Sequence, residues 1–170
     1  MISRKWAMPN KNTFSIKPIK ELIEKYINGK WNDPFANDSI FKNSLITNDI
    51  NSEYKTDYNL DALDFLKQFD DNSIDGVLFD PPYSIHQIIQ VYDGFGKIKS
   101  FSRYAFELKR IIKNGGYCIS FGWNTNGMPF EMKTNNKKYK TGFLKDKTEI
   151  LIVAHGGCHN DTLVTVDKKL

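Results

Sequence analysis

The feature that most constrains the fold is a short apolar run that ends abruptly in two prolines. Residues 76–79 read Gly-Val-Leu-Phe, as in a buried strand, and Asp80-Pro81-Pro82-Tyr83 follows directly. Each proline fixes its own φ and donates no backbone hydrogen bond, so the turn is stiff and presents only acceptors. Tyr83 adds a flat ring beside them. Acceptors next to a ring suit a planar base held through its exocyclic amino group, and the alternative is an ordinary proline-rich turn.

Length and composition predict one soluble domain over residues 1–170, long enough for a central sheet covered on both faces. A net charge of +4 is compatible with a polyanionic partner without demonstrating one. Cys118 and Cys158 match no zinc spacing, so we expect no metal and a reduced, buried thiol at Cys118. No stretch approaches a membrane span or a signal peptide, which predicts no membrane partner and a cytoplasmic setting.

Apolar periodicity predicts alternating helices and strands. Helices are expected at 16–27, 61–69 and 100–112, and strands at 31–36, 44–50, 73–79, 117–122, 149–154 and 162–167. A further, very short strand would end at Asp61, and the Lys- and Asn-rich stretch 128–141 is interpreted as a mobile loop. The predicted fold class is α/β, with a mostly parallel, doubly wound sheet and a C-terminal antiparallel strand pair.

Polar segments follow the predicted strands where each one ends. They are Asp33-Pro34-Phe35-Ala36-Asn37, Asn48-Asp49, Asp80-Pro81-Pro82-Tyr83 and Gly122-Trp123-Asn124. Sheets of this kind bind ligands at the carboxyl ends of their strands, so we expect these segments to form one site. The connection 155–161 carries His155 and His159, but its glycines favour a tight hairpin over a metal site.

Phe79-Asp80-Pro81-Pro82-Tyr83 resembles the catalytic motif of the S-adenosylmethionine-dependent DNA amino-methyltransferases, which methylate adenine at N6 or cytosine at N4. The segment 14–23 resembles the Lys-Pro segment of that family, and Asp33-Pro34-Phe35-Ala36 the start of its cofactor loop. The matches extend from about Phe14 to Phe121. The resemblance implies a Rossmann-like methyltransferase fold, S-adenosylmethionine as cofactor, DNA as partner and an origin in a prokaryote or a phage.

The resemblance also implies roles for individual residues. The catalytic residues would be Asp80, Pro81, Pro82 and Tyr83. Asp49 falls where the family has an acid for the cofactor ribose, and Asp61-Ala62 where it contacts the cofactor adenine. The full implied cofactor set is Lys17, Pro18, Asp33, Pro34, Phe35, Ala36, Asn37, Asp49, Asp61, Ala62 and Asp80.

The chain departs from the family in its cofactor loop and in its size. Asn37-Asp38-Ser39 stands where the family has Gly-x-Gly, so we expect Asn37 to adopt a left-handed conformation, the alternative being a lost cofactor site. Phe35 is either a cofactor contact or core packing. With no separate recognition domain, DNA reading falls to loops, a second copy of the chain or a partner. The candidate substrate residues are Tyr83, Ser84, His86, Gln87, Trp123, Asn124, Lys137 and Lys138.

The predicted reaction is direct methyl transfer to a flipped-out adenine. Asp80 and the Pro81 carbonyl would accept the hydrogens of the amino group, while Tyr83 stacks on the base and Trp123 faces its other side. Adenine is favoured over cytosine because the family's adenine enzymes carry Asp at the first motif position. Two alternatives remain: a ribosomal RNA amino-methyltransferase, and a catalytically silent subunit that binds cofactor or DNA.

Overall fold

The computed structural model describes residues 1–82, 101–122, 131–134, 137–140, 145–157 and 159–170. Three α-helices lie in these ranges: α1 (Lys17–Tyr26), α2 (Ala62–Leu66) and α3 (Phe101–Ile111), with a 3₁₀ turn at Thr13–Ser15. The strands are β1 (Ile2–Trp6), β2 (Trp31–Asp33), β3 (Ile46–Thr47), β4 (Ile74–Phe79), β5 (Ile112–Gly122), β6 (Glu131–Thr134), β7 (Lys137–Lys140), β8 (Lys145–Ala154) and β9 (Thr162–Lys169).

Seven strands form one mixed sheet in the order β1-β8-β9-β5-β4-β2-β3. Neighbouring strands are parallel except at β9, which runs antiparallel to both β5 and β8. The predicted C-terminal antiparallel pair is confirmed, but β9 is inserted inside the sheet and makes it mixed. All strands other than β9 therefore have their carboxyl ends at one edge of the sheet.

The sheet buries a separate apolar core on each face. Side chains of α2 and α3 pack with Val77 on one face, and side chains of α1 pack with Trp31 and Leu78 on the other. Val77 and Leu78 are consecutive in β4, and alternate side chains of a strand point to opposite faces. Glycine is required at position 76, just before Val77, because a Cβ there would lie 2.3 Å from the Trp31 ring. Cys118 is buried and unoxidised, as predicted.

The structure adds one strand that was not predicted and corrects two expectations. Strand β1 was not predicted, because Ile2, Arg4, Lys5 and Trp6 are all exposed and give no period-two burial signal. Within the stretch interpreted as a loop, β6 and β7 pair in antiparallel register. The very short strand expected before Asp61 is a single bridge between Asn48 and Tyr58.

The remaining expected elements are present with shifted ends. Helix α2 begins at Ala62 because Asp61 caps it, its carboxylate accepting a hydrogen bond from Leu63 N at 3.0 Å, and the helix ends at Leu66. The predicted strand over 31–36 ends at Asp33, where the polar loop begins. In the part of the chain that the structure describes, no helix is long and apolar enough to cross a membrane.

Candidate active site

The sheet topology creates a crevice beside β2. The chain leaves β2 to form β3 on one side and then returns to form β4 on the other, and ligands bind at such reversals of strand order. A cavity of about 550 Å³ opens there, within the range of small-molecule sites. It is lined by Asn10, Lys11, Asn12, Thr13, Phe14, Phe35, Ala36, Asn37, Asp38, Tyr54, Asp80, Pro81 and Pro82.

The loop after β2 turns sharply at Asn37, whose φ is +46°. The left-handed conformation expected at this position is therefore confirmed. Asn37 N donates to Asp49 Oδ2 at 2.9 Å, and Asn37 Oδ1 accepts from Asp38 N at 2.7 Å. Asparagine stabilises this conformation through its short side chain, so the loop keeps its turn without the family's glycines.

Asn48, at the end of β3, holds this loop against the chain before α2. Its side chain is buried, and Nδ2 donates to Pro34 O at 3.1 Å and to Leu60 O at 3.0 Å. Its Oδ1 accepts from Leu60 N at 2.9 Å. Both the nitrogen and the oxygen of the amide thus have hydrogen-bond partners. Asn48 therefore fixes the position of the loop that lines the cavity.

Asp49 lies behind the same loop and is fully buried. Its two carboxylate oxygens accept from Asn37 N and Asn51 N, each at 2.9 Å. Burial raises the pKa of Asp49, while the hydrogen bonds from Asn51 and Asn37 oppose that shift. Asp49 does not line the cavity, and its visible role is to hold the loop; the ribose contact stays a prediction.

Asp33, the last residue of β2, is a buried carboxylate with an unsatisfied atom. Its Oδ1 accepts from Phe35 N at 3.1 Å, whereas Oδ2 has no hydrogen-bond partner among the described residues. Burial raises the pKa of Asp33 well above its usual value, and the charges of Asp80 and Asp49 raise it further. Such a group is costly in an otherwise apolar interior, which marks it as a functional candidate.

Asp80 lies at the carboxyl end of β4 and lines the cavity. Burial raises the pKa of this half-buried carboxyl to about 7, although a hydrogen bond from the Thr13 side chain opposes the shift. A carboxyl with a pKa near neutrality is half ionised at physiological pH. It can therefore accept a hydrogen bond or a proton from a bound group.

Thr13 belongs to an N-terminal segment, residues 10–13, that lines the cavity and that the sequence analysis did not single out. Asn12 Nδ2 donates to Asp38 O at 2.7 Å across the cavity. The ring of Phe14 packs against Phe121 at 5.1 Å between centroids and anchors the segment on the sheet. The resemblance to the Lys-Pro segment pointed to residues 14–23, but the cavity is lined by the four residues before that segment and by its first residue, Phe14.

Phe35 packs in the core and also faces the cavity, and its contact with a cofactor stays a prediction. It lines the cavity, and its ring packs edge-on against Phe79 and Tyr104, each at 5.7 Å between centroids. Burial, together with the charge of Asp61, raises the pKa of Tyr104 to about 12. The three rings form a rigid apolar base beneath the cavity.

Several predicted residues lie away from this cavity or outside the described residues. Lys17 and Pro18 begin α1, Lys17 being exposed, and Ala62 is buried beside the capping residue Asp61. Pro34 is buried in the loop wall. Lys137 and Lys138 lie on β7. The predicted residues that lie outside the described ranges are Tyr83, Ser84, His86, Gln87, Trp123 and Asn124.

The connection between β8 and β9 is a hairpin, as predicted. The buried His155 ring bonds Ala7 O through Nδ1 and Thr162 Oγ1 through Nε2, both at 2.9 Å. Gly156 and Gly157 have φ of +70° and +62°. Within the described ranges no group of three or more His, Cys, Asp or Glu side chains is arranged to hold a metal ion.

Comparison with solved structures gives distant similarities. The chain is similar to the crystal structure of a SAM dependent methyltransferase from Archaeoglobus fulgidus, at 16% sequence identity and a TM-score of 0.41. The match covers 64% of this chain and 51% of that chain, so it spans about half the length of the solved structure. No protein-family model and no curated protein matches the chain.

Proposed function

We propose that this protein is an S-adenosylmethionine-dependent methyltransferase that modifies the N6 amino group of adenine in DNA. The observation that carries the proposal is the placement of Asp80. Asp80 directly follows β4, in an Asp-Pro-Pro turn, and lines the cavity beside β2. Its pKa is about 7, and it forms no salt bridge among the described residues.

The chemistry of the cavity suits the proposed cofactor. Asp33, Asp49 and Asp80 converge on this edge of the sheet, and the charges of Asp49 and Asp80 raise the pKa of Asp33. Like charges in a poorly solvated site destabilise one another, so a cationic ligand would be favoured there. S-adenosylmethionine has a sulfonium and an ammonium group, and it also offers a flat ring to an aromatic wall such as Phe35.

Residues of the loop after β2 would hold this cofactor. Ala36 and Asn37 line the cavity, and Asn37 brings the backbone close to it without a glycine. Asp33 Oδ2, which lacks a described partner, is available to a donor group that penetrates to the floor. When bound, S-adenosylmethionine supplies an electrophilic methyl group.

Asp80 and the carbonyl of Pro81 would position the attacking nitrogen. An amino group on adenine is a weak nucleophile because its lone pair is delocalised into the ring. Two acceptors that take its two hydrogens direct the lone pair away from the ring plane and stabilise the positive charge that develops on nitrogen. Ionised Asp80 can then remove the extra proton, and Thr13, through its hydrogen bond, favours that ionised form.

The choice of adenine in DNA rests on the resemblance of Phe79-Asp80-Pro81-Pro82-Tyr83 to the adenine enzymes. A base in a duplex reaches a recessed carboxylate only when it leaves the stack, at a cost of a few kcal/mol. The cavity volume of about 550 Å³ suits one cofactor with a single nucleobase at its mouth.

The test is methyl transfer from tritium-labelled S-adenosylmethionine to DNA or RNA, followed by nuclease digestion and mass spectrometry. We expect N6-methyladenine in DNA, and we expect Asp80→Asn to give none. N4-methylcytosine in DNA, or methylguanine found only in RNA, would contradict the proposed substrate. Cofactor binding without transfer to either nucleic acid would indicate a silent subunit, and no binding at all would overturn the proposal.

A further inference from the structure

Large apolar side chains are exposed on and just after β1, the edge strand of the sheet. Trp6 is 66% exposed at the end of β1 and Met8 is 66% exposed just beyond it. Met1 and Ile2 precede them and are also exposed. Isolated exposed apolar residues are common, but a group of them in one short segment marks an interaction surface.

The backbone next to Trp6 is hydrogen-bonded to β8 and to the hairpin turn, although the Trp6 side chain is exposed. Ala7 N donates to Ala154 O at 3.0 Å, and Ala7 O is bonded to the His155 ring at 2.9 Å. The Trp6 Nε1 atom lies 3.4 Å from the position a Cβ would take on Gly156, so the indole lies beside the hairpin turn. A solvent-facing indole beside a hydrogen-bonded backbone offers a flat stacking surface.

Basic residues flank Trp6 along the chain. Arg4 and Lys5 precede Trp6 in β1, and Lys11 lines the cavity. The nearest acidic partner recorded for them is Asp161, which lies 3.7 Å from the Arg4 guanidinium in an exposed pair. Three basic residues face one acidic partner, so the segment keeps a net positive charge.

The same segment leads from the sheet edge to the candidate active site. β1 is parallel to β8, so Trp6 lies at the edge where β4 ends in Asp80. Four strand spacings separate β1 from β4, a distance of roughly 19 Å. Residues 7–13 cross this distance and end at Thr13, whose side chain bonds Asp80.

We propose that a basic aromatic strip, consisting of Arg4, Lys5, Trp6 and Lys11, binds a single-stranded stretch of DNA beside the target base. The cations contact phosphates and the Trp6 indole stacks on an unpaired base, a combination typical of single-strand binding surfaces. This inference rests on the proposed function and names the substrate form that the site accepts.

A second copy of the chain is the competing occupant, because β1 is an edge strand with exposed apolar side chains. The sequence of β1 argues against it. Edge strands that avoid pairing are short and carry charged residues, and β1 has five residues that include adjacent Arg4 and Lys5. Charge complementarity therefore favours a polyanion over an identical, equally cationic edge.

The test measures fluorescence anisotropy of a labelled oligonucleotide of about 20 nucleotides, single-stranded or in a duplex, over a series of salt concentrations. The variants are Trp6→Ala, Trp6→Phe and the double variant Arg4→Ala/Lys5→Ala. Lys30→Ala/Lys109→Ala is the matched control, since it removes the same charge. Lys30 precedes β2 and Lys109 lies in the last turn of α3, away from the carboxyl edge.

We expect Trp6→Ala to weaken single-strand binding about 5- to 150-fold, with duplex binding little changed and Trp6→Phe close to wild type. Arg4→Ala/Lys5→Ala should lower the slope of log affinity against log salt by about 2, and the control double variant should leave it unchanged. Cofactor affinity, measured by calorimetry with S-adenosylhomocysteine, should be the same in every variant.

The outcomes separate this inference from the proposed function. Wild-type protein that methylates DNA while all strip variants bind like wild type would overturn the strip alone. Strip-dependent binding of single-stranded DNA without methyl transfer would support the strip and overturn the proposed function. Equal loss on single and double strands, or a dimer that Trp6→Ala converts to a monomer, would contradict stacking on an unpaired base.

Discussion

Strand β4 has an aspartate near each end, and the two carboxylates have opposite environments. Asp75 accepts from Lys113 Nζ at 2.6 Å and from Lys30 N at 2.7 Å, and these contacts, the Lys113 hydrogen bond above all, lower its pKa. Asp80 is raised to a pKa of about 7 by burial, and no described cation pairs with it. The Asp75 carboxylate has its partners within the protein, whereas the Asp80 carboxylate can still accept a hydrogen bond from a bound molecule.

The same contrast between paired and unpaired carboxylates distinguishes the amino edge of the sheet from its carboxyl edge. At the amino edge, Asp75 ties β4 to the chain entering β2 and to Lys113 of β5. At the carboxyl edge, Asp33 and Asp80 have no cationic partner among the described residues, which destabilises the folded protein. Because folding alone gains nothing from such groups, their position at the topological switch point indicates a binding role.

Replacing each aspartate by asparagine should give the largest contrast in activity. Asp80→Asn removes the acceptor proposed for the target amine, and we expect methyl transfer to fall by at least a factor of about 100. Asp75→Asn should keep near-normal activity. Single-turnover rates with saturating cofactor measure both. Near-normal transfer by Asp80→Asn would show that the cavity is not the catalytic site.

Replacing Asp49 should weaken cofactor binding without touching the cavity directly. Asp49→Ala leaves Asn37 N and Asn51 N without acceptors, so the left-handed turn at Asn37 loses its support. We expect affinity for S-adenosylhomocysteine to fall more than about tenfold and unfolding to cost roughly 2 kcal/mol less. Calorimetry and urea unfolding test this, with Asp57→Ala, which bonds Thr47 instead, as the control.

Replacing Thr13 should change the pH at which Asp80 ionises. Its hydrogen bond favours the carboxylate, so Thr13→Val should move the midpoint of the pH–rate profile upward from about 7 and slow transfer at neutral pH several-fold. The rate should converge with wild type at high pH, and Thr13→Ser should behave like wild type. An unchanged midpoint in Thr13→Val would exclude a positioning role for Thr13.

The stability effects should be the smallest and should have opposite signs. Between about pH 4 and pH 7 folded Asp80 keeps a proton that the unfolded chain has lost, so stability falls as pH rises through that window. At about pH 8, Asp80→Asn should therefore be more stable than wild type, by on the order of 1–2 kcal/mol.

Asp75 has a lowered pKa, so its contribution is present above about pH 4 and is lost as pH falls below that value. Asp75→Asn should cost about 1 kcal/mol at neutral pH, because the carboxylate is partly exposed. Thermal unfolding of the two variants across this pH range tests both signs. Destabilisation of Asp80→Asn at about pH 8 would mean that the Asp80 charge is satisfied in the folded protein.

Elements with a periodic pattern of buried side chains could be predicted from the sequence. Features that depend on contacts between residues far apart in the chain could not. The apolar run ending in Asp80 and the loop containing Asn37 could be predicted because strand and turn chemistry are local. The hydrogen bond between Thr13 and Asp80 joins residues 67 positions apart in the printed sequence, and no local pattern signals it. β1 escaped prediction because its side chains are exposed and only its backbone pairs with β8.

The most direct test of the contrast within β4 is the titration of the two carboxyl groups themselves. Carbon NMR of protein labelled at the aspartate carboxyl carbon, assigned with Asp75→Asn and Asp80→Asn, would follow each group separately. We predict a midpoint of about 7 for Asp80 and a midpoint below the ordinary aspartate value for Asp75. Addition of S-adenosylmethionine should lower the Asp80 midpoint, because a nearby cation favours the carboxylate. Equal midpoints for the two groups, or an Asp80 midpoint at or below about 4, would contradict the account.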